Sequence, residues 1–344
     1  MQPSNSFNGF FTKYESEFYI TLLSIEFMMK LPDSKMGLPK MKRVAYFLTS
    51  ICAIGLLDAA EIEPPDVYQA VRQVSQDIEL VREVMGRPKL DADAWVVEHA
   101  EPRHVYYQAQ TLFRKVDRLK RQLTLEASAM PPAPLGEIEP QHVLQVVRAS
   151  QEGIEAIRAE LSINYRSELP EREADRQPRD VFREIVQVDR QLNLMLDRPI
   201  QPQDVYGQIE LAATYVAGAL TTDESAPSYG ELPPFEPNKE PADVYRRVLE
   251  CLGIAQAIGE QHGINVLQLN LRRELRRRDI TPSDVYDLAT TVLAEVAYLT
   301  LTLDALDVDV PPIERPKHVF PSHVYQLTSM LQEELARLQI HLSQ

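Results

Sequence analysis

Two Glu-x-x-His segments are the part of the sequence with the clearest potential for metal chemistry. EPRH at 101–104 and EPQH at 139–142 have the spacing with which di-iron four-helix proteins hold their metals. In those proteins the pair lies within a helix, whereas here a proline at a predicted helix start separates the two residues. His104 and His142 also occupy a position that is Asp in five related segments, which favours helix capping. Metal binding by Glu101, His104, Glu139 and His142 is the alternative interpretation.

A cluster of arginines is the second feature that could bind a ligand. It lies in an otherwise acidic chain and consists of Arg272, Arg273, Arg276, Arg277 and Arg278. An anionic partner, such as a lipid headgroup or a cell-surface polymer, would suit this cluster. A solvated helix face that pairs with acidic linkers explains the same pattern and is the interpretation we favour.

One short motif, Pro-x-(Asp/His)-Val followed by an aromatic residue or leucine, occurs eight times along the chain. Successive motif valines are 38, 38, 38, 24, 39, 41 and 39 residues apart. An exposed row of the aromatic rings would suit a ligand such as a glycan, but we favour a valine in the core and a ring packed beneath a linker proline. The repeat-signature residues are Val67, Tyr68, Val105, Tyr106, Val143, Val181, Phe182, Val205, Tyr206, Val244, Tyr245, Val285, Tyr286, Val324 and Tyr325.

Each motif has the composition of a helix start, and the residues after it have helical periodicity. Proline is favoured at the first helical position, and an acidic residue two places later faces the positive end of the helix. Apolar residues then follow every three or four positions, as in Val67, Val71, Val74, Ile78 and Val81. The sequence therefore predicts an all-α fold of eight amphipathic helices, in repeats of about 38 residues joined by long Pro-rich linkers.

The short interval of 24 residues divides the eight motifs into two groups of four. It predicts two tandem four-helix blocks, 61–199 and 200–344, that arose by duplication. The other linkers are long enough to run back along a helix, so neighbouring helices need not be antiparallel. The segment LDRPIQP before Val205 is too short for that and requires a chain reversal or a pivot between the blocks.

The segment 41–60 has the pattern of a secretory signal peptide. Lys42 and Arg43 precede an apolar run from Val44 to Leu57, and small residues follow at Ala59 and Ala60. Residues 1–40 are interpreted as a non-native upstream extension, because Met41 makes a natural start. We expect the mature protein to begin near Ala60, to be periplasmic or secreted, and to have no transmembrane segment.

Composition narrows the function further. A net charge of −15 disfavours nucleic acid as a partner. The chain has only 12 glycines against 25 prolines, and the sequence contains no glycine-rich motif of the kind that binds phosphate. No catalytic motif is present, and no cofactor is expected. We therefore expect an exported, non-enzymatic scaffold that binds another periplasmic or cell-surface protein. The alternatives are a sensory or small-ligand-binding bundle and, third, a metal-binding four-helix protein.

Overall fold

A computed structural model of the chain describes residues 61–90, 95–134, 136–221, 229–270, 280–303, 310 and 312–343. The predicted signal peptide and upstream extension lie outside these residues. The all-α prediction is confirmed, because the described residues form eight helices and one short antiparallel pair of strands. The helices are α1 (Pro64–Val84), α2 (Pro102–Thr124), α3 (Pro140–Glu160), α4 (Pro178–Asn193), α5 (Pro202–Leu220), α6 (Pro241–His262), α7 (Pro282–Thr302) and α8 (Pro321–Leu342). The strands are β1 (Val96–Val97) and β2 (Leu269–Asn270).

Each of these eight described helices begins at a motif proline, as the sequence predicts. The residue before the proline has an extended backbone, and its N–H is bonded by the Asp or His side chain of the third helical position. In α1, for example, Glu63 N donates to Asp66 Oδ2 at 2.9 Å. Proline needs no hydrogen-bond acceptor at this position, and the motif side chain satisfies the N–H before it. At the other end, α6 stops at Gly263, whose φ of +68° closes the helix in the left-handed region.

The core is built from one heptad pattern that all eight helices share. Counting from the motif valine, the positions four, seven, eleven and fourteen residues later form one stripe, whose last residue in α4, Met195, lies just past the helix end. In α1 this stripe is Val67, Val71, Val74, Ile78 and Val81, and each of these side chains is buried. In α6 it includes Cys251, which is fully buried as a small apolar residue. Alternating steps of four and three are typical of helices that pack as a coiled coil.

The helices of each group of four start at the same end of the group. The first-turn prolines and valines of α1–α4 line one small cavity: Pro64, Val67, Pro102, Val105, Pro140, Val143, Pro178 and Val181. Those of α5–α8 line a second: Pro202, Val205, Pro241, Val244, Pro282, Val285, Pro321 and Val324. Within the first group, α1 and α2 each pack against α3 and α4, and within the second, α5 and α6 each pack against α7 and α8. The helices of a group therefore run parallel.

Parallel neighbours explain the long Pro-rich linkers, because each linker must return along the bundle before the next helix starts. The segment between α3 and α4 does so along α1. Its Pro170 carbonyl accepts a hydrogen bond from Gln69 Nε2 at 2.7 Å, and its Arg172 pairs at 2.5 Å with Asp66 in the first turn of α1. A helix of 21 residues is about 30 Å long, and an extended linker covers that distance.

The two groups run in opposite directions where they meet. Arg103 at the start of α2 pairs with Glu295 in the second half of α7, while Lys115 in the middle of α2 pairs with Asp287 at the start of α7. This crossed pairing makes α2 and α7 antiparallel. The short segment 194–201 is thus a chain reversal, since the end of α4 and the start of α5 lie at the same end of the molecule. Residues 62–344 form one compact unit.

None of the helices in the described part of the chain is both long enough and apolar enough to cross a membrane.

Candidate functional site

The histidines of the predicted metal pairs act as helix caps. Glu101 N donates to His104 Nδ1 at 2.7 Å, and Glu139 N donates to His142 Nδ1 at 3.0 Å. His323 makes the equivalent bond in α8, and Asp makes it in the other five helices. Each imidazole therefore has its Nδ1 lone pair engaged by the backbone.

The two glutamates of these pairs have separate partners. Glu101 Oε2 lies 3.1 Å from Arg103 Nε, and Glu101 Oε1 accepts a hydrogen bond from Asn265 Nδ2 at 2.8 Å. Glu139 Oε2 accepts from Gln141 Nε2 at 2.7 Å. Although α2 and α3 start at the same end, the described residues contain no group of three or more His, Cys, Asp or Glu placed to hold a metal ion.

His104 does reach a buried carboxylate in the other group of helices. Its Nε2 lies 3.4 Å from Glu295 Oε1, and Arg103 Nη1 lies 3.2 Å from Glu295 Oε2. Burial acts to raise the pKa of Glu295, but the contact with His104 and the charge of Arg103 outweigh it and lower the pKa below its usual value. Glu295 is thus an ionised group at the centre of a buried cluster that joins α2 to α7.

A second buried cluster lies deeper along the same boundary. Lys115 Nζ lies 2.5 Å from Asp287 Oδ1 and donates to the Asp189 carbonyl at 3.3 Å. Asp189 Oδ2 accepts a hydrogen bond from Gln108 Nε2 at 2.6 Å, and Asp287 Oδ2 accepts one from Asn193 Nδ2 at 3.1 Å. These groups bring α2, α4 and α7 together. They are held by one another and by the backbone, so we assign the cluster to the joining of the two groups of helices.

The signature aromatic residues are mostly inside the protein. Tyr68, Tyr106, Phe182, Tyr206, Tyr245 and Tyr325 are buried, and Tyr286 is partly buried. Burial raises the pKa of the Tyr106 and Tyr286 hydroxyls. A row of exposed rings for a glycan is therefore not formed. The arginine cluster 272–278 lies outside the described residues, so its role stays a prediction.

A cleft opens in the outer face of the first group of helices. It has a volume of about 570 Å³ and lies between α1 and α4. The linker after α1, with Lys89 and Leu90, borders one part of it, and the linker after α3, with Tyr165 and Ser167, borders another. Its size falls within the roughly 300–1,000 Å³ typical of ligand sites.

The cleft wall is mainly polar and its charges are largely paired. Amide and hydroxyl side chains from the helices include Ser75, Gln76, Gln187 and Gln191. Lys89 Nζ lies 3.2 Å from Glu79 Oε1 at the rim. Hydrogen bonds from Arg82 and then Lys89, opposed by burial, lower the pKa of Glu79. The wall therefore offers hydrogen-bond donors and acceptors more than net charge.

The residues that sequence reasoning missed share a position in the repeat. Lys115, Glu295, Asp77 and Glu334 each lie ten residues after a motif valine, next to the heptad stripe, and all four are buried. The sequence did contain a signal for these buried charges, because each lies beside the apolar stripe of its helix. The glutamines of the cleft wall had no such signal, because polar residues on an outer helix face are common.

In comparisons with protein-family models, with curated proteins and with solved structures, the chain matched none.

Proposed function

We propose that this chain is an exported, non-enzymatic helical repeat scaffold, made of two tandem four-helix blocks, that binds another protein of the periplasm or cell surface. The observation that carries the proposal is the open cleft between α1 and α4, which has a volume of about 570 Å³ and is bordered by two helices and two linkers. Repeat proteins commonly bind through such surfaces, where helix faces and connecting segments meet.

The division into two blocks rests on three features of the chain. These are the single short interval between motifs, the identical packing scheme of α1–α4 and α5–α8, and the separate convergence of their helix starts. A duplicated four-helix ancestor accounts for all three. Export rests on residues 41–60 alone, and N-terminal sequencing of the protein from its own cell tests it: a start near Ala60 supports export, and a retained Met1 contradicts it.

A small polar ligand is the second candidate, because the volume of the cleft would suit one. The chemistry of the wall favours a protein instead. Small-molecule sites are lined mostly by apolar and aromatic side chains with a few polar groups, whereas Gln76, Gln187, Gln191 and Ser75 make this wall largely polar. The partly open, polar rim resembles the edge of a protein interface more than a closed ligand pocket.

Differential co-purification tests the proposal. Wild-type protein, Ser75→Trp and Gln339→Ala would each be isolated from the exporting cell and their bound proteins quantified. Ser75 lies in the cleft wall, and a Trp there obstructs part of the cleft, while Gln339 lies on α8 outside the cleft. We expect one partner to be lost with Ser75→Trp and retained with Gln339→Ala. Equal recovery with all three proteins contradicts the proposal.

A further inference from the structure

A stripe of glutamines on α1 holds one of the chain's own extended linkers. Gln69, Gln73 and Gln76 are four and three residues apart, so they lie on one face of the helix. Gln69 Nε2 donates to the Pro170 carbonyl at 2.7 Å, and Gln73 Nε2 donates to Ser167 Oγ. This face of α1 therefore binds a chain segment through side-chain amides.

Gln191 on α4 shows the same chemistry in a more complete form. Its Nε2 donates to the Pro88 carbonyl at 3.0 Å, and its Oε1 accepts from the Leu90 N–H at 2.8 Å. One side-chain amide thus satisfies both a carbonyl and an N–H of an extended backbone. Gln326 on α8 repeats the first of these bonds with the Pro233 carbonyl at 2.6 Å. Glutamine recognition of Pro-containing backbone recurs in both groups of helices.

The glutamine-bearing faces of α1 and α4 both extend into the cleft, between the linker after α1 and the linker after α3. Gln76 follows Gln69 and Gln73 along α1, and Gln187 lies one turn before Gln191 on α4. Gln76 Oε1 is buried and has no hydrogen-bond partner among the described residues. A buried acceptor without a partner is costly, so a donor supplied by a bound molecule would be favourable here.

We propose that the cleft binds an extended, proline-rich segment of the partner protein, whose backbone N–H and C=O groups bond to Gln76 and Gln187. The inference rests on the proposed function and specifies the chemistry of its partner. Proline keeps such a segment extended and leaves its carbonyls unbonded within the segment, as in the linkers that Gln69, Gln191 and Gln326 already hold. Leu80 and Leu90, which are partly exposed in the cleft lining, offer apolar contact to its side chains.

Fluorescence anisotropy with the full chain tests this. The probe is a labelled peptide with the sequence of residues 229–236, YGELPPFE, because Gln326 donates to the Pro233 carbonyl within that segment, ahead of the turn at 237–238. We expect saturable binding that falls about tenfold in Gln76→Ala/Gln187→Ala, as two lost hydrogen bonds imply. Gln339→Ala should bind like wild type, and Ser75→Trp should not bind. Unchanged circular dichroism confirms that the variants are folded.

A second probe separates backbone recognition from side-chain recognition. The same peptide with N-methylated backbone at its non-proline residues lacks N–H donors and should bind at least tenfold more weakly, whereas replacing its Glu residues by Gln should change binding little.

No binding up to about 1 mM, or binding that neither the double variant nor N-methylation weakens, overturns the inference. Self-association that Ser75→Trp abolishes would instead identify a second copy as the occupant and also overturn it. If the peptide fails while Ser75→Trp still removes a co-purified partner, the proposed function stands and only the extended-peptide chemistry is wrong.

Discussion

Lys115 Nζ of α2 lies 2.5 Å from Asp287 Oδ1 of α7, and both side chains are almost fully buried. The pair joins two groups of helices that run in opposite directions. Breaking a buried ion pair by removing one partner is far more destabilising than the pair's net contribution, because the remaining charge is left in an apolar environment without compensation. Lys115 is therefore the residue whose loss should most weaken the boundary between the two groups.

Replacing Lys115 by Met should lower the free energy of unfolding by about 3–5 kcal/mol, since it leaves Asp287 buried without its cation. The matched control is Arg246→Met, which removes an exposed ion pair with Asp243 and should cost at most about 1 kcal/mol. Urea denaturation followed by circular dichroism measures both. Similar small losses for the two variants would show that the buried pair does not hold the boundary.

Asp189 predicts an unusual dependence of stability on pH. Burial, together with the negative charge of Asp287, raises the pKa of Asp189 to about 7. The positive charge of Lys115 and the hydrogen bond from Gln108 act in the opposite direction. In the unfolded chain the pKa returns to about 3.9. Between these values the folded state holds a proton that the unfolded state lacks, so the contribution of Asp189 to stability falls as the pH rises from about 4 to about 7.

The variant Asp189→Asn keeps an acceptor for Gln108 but does not titrate. Its free energy of unfolding, relative to wild type, should therefore increase across that pH range and level off above it. Asp175→Asn, which makes the same substitution at an exposed linker position, is the control. Urea unfolding at half-unit pH steps gives the comparison, and a constant difference between Asp189→Asn and wild type would contradict the assignment.

Replacing the capping histidines His104 and His142 by Asp, the capping residue of five other helices, should change stability by different amounts. The sequence alone predicts that Asp is neutral at both positions. His142 is partly exposed, and His142→Asp should change stability by no more than about 0.5 kcal/mol. His104 is buried 3.4 Å from Glu295, so His104→Asp brings a carboxylate towards another and should cost about 1–3 kcal/mol. Equal thermal denaturation of the two variants would contradict this distinction.

Much of the fold was predictable because the motif is local and repeated. The prolines mark all eight helix starts, and the apolar spacing after Val67 or Val244 marks the core. The crossed contacts of α2 with α7 were not predictable, because they depend on the direction in which the two groups pack. The cleft was also hidden: Gln76 and Gln187 are far apart in sequence, and only the packing of α1 against α4 brings them to one wall.

Separate expression of 61–199 and 200–344 tests the two-block proposal. Each half contains four helices with its own heptad stripes, so each should show helical circular dichroism and a cooperative melt. Each should also melt below the full chain, because the contacts of Lys115 and Glu295 across the boundary are lost. If either half is unfolded while the full chain is stable, the eight helices share one core and the division into blocks is wrong.

The central claim is that a partner protein occupies the cleft between α1 and α4, and site-specific photocrosslinking in the cell that produces the protein tests it most directly. A photoreactive residue would replace Gln187 in the cleft wall or, as the control, Glu155 on the exposed face of α3. We predict one dominant crosslinked protein from position 187, absent from position 155 and abolished when Ser75→Trp is present in the same chain. The same crosslinked species from both positions, or crosslinking at 187 that survives Ser75→Trp, would contradict the account.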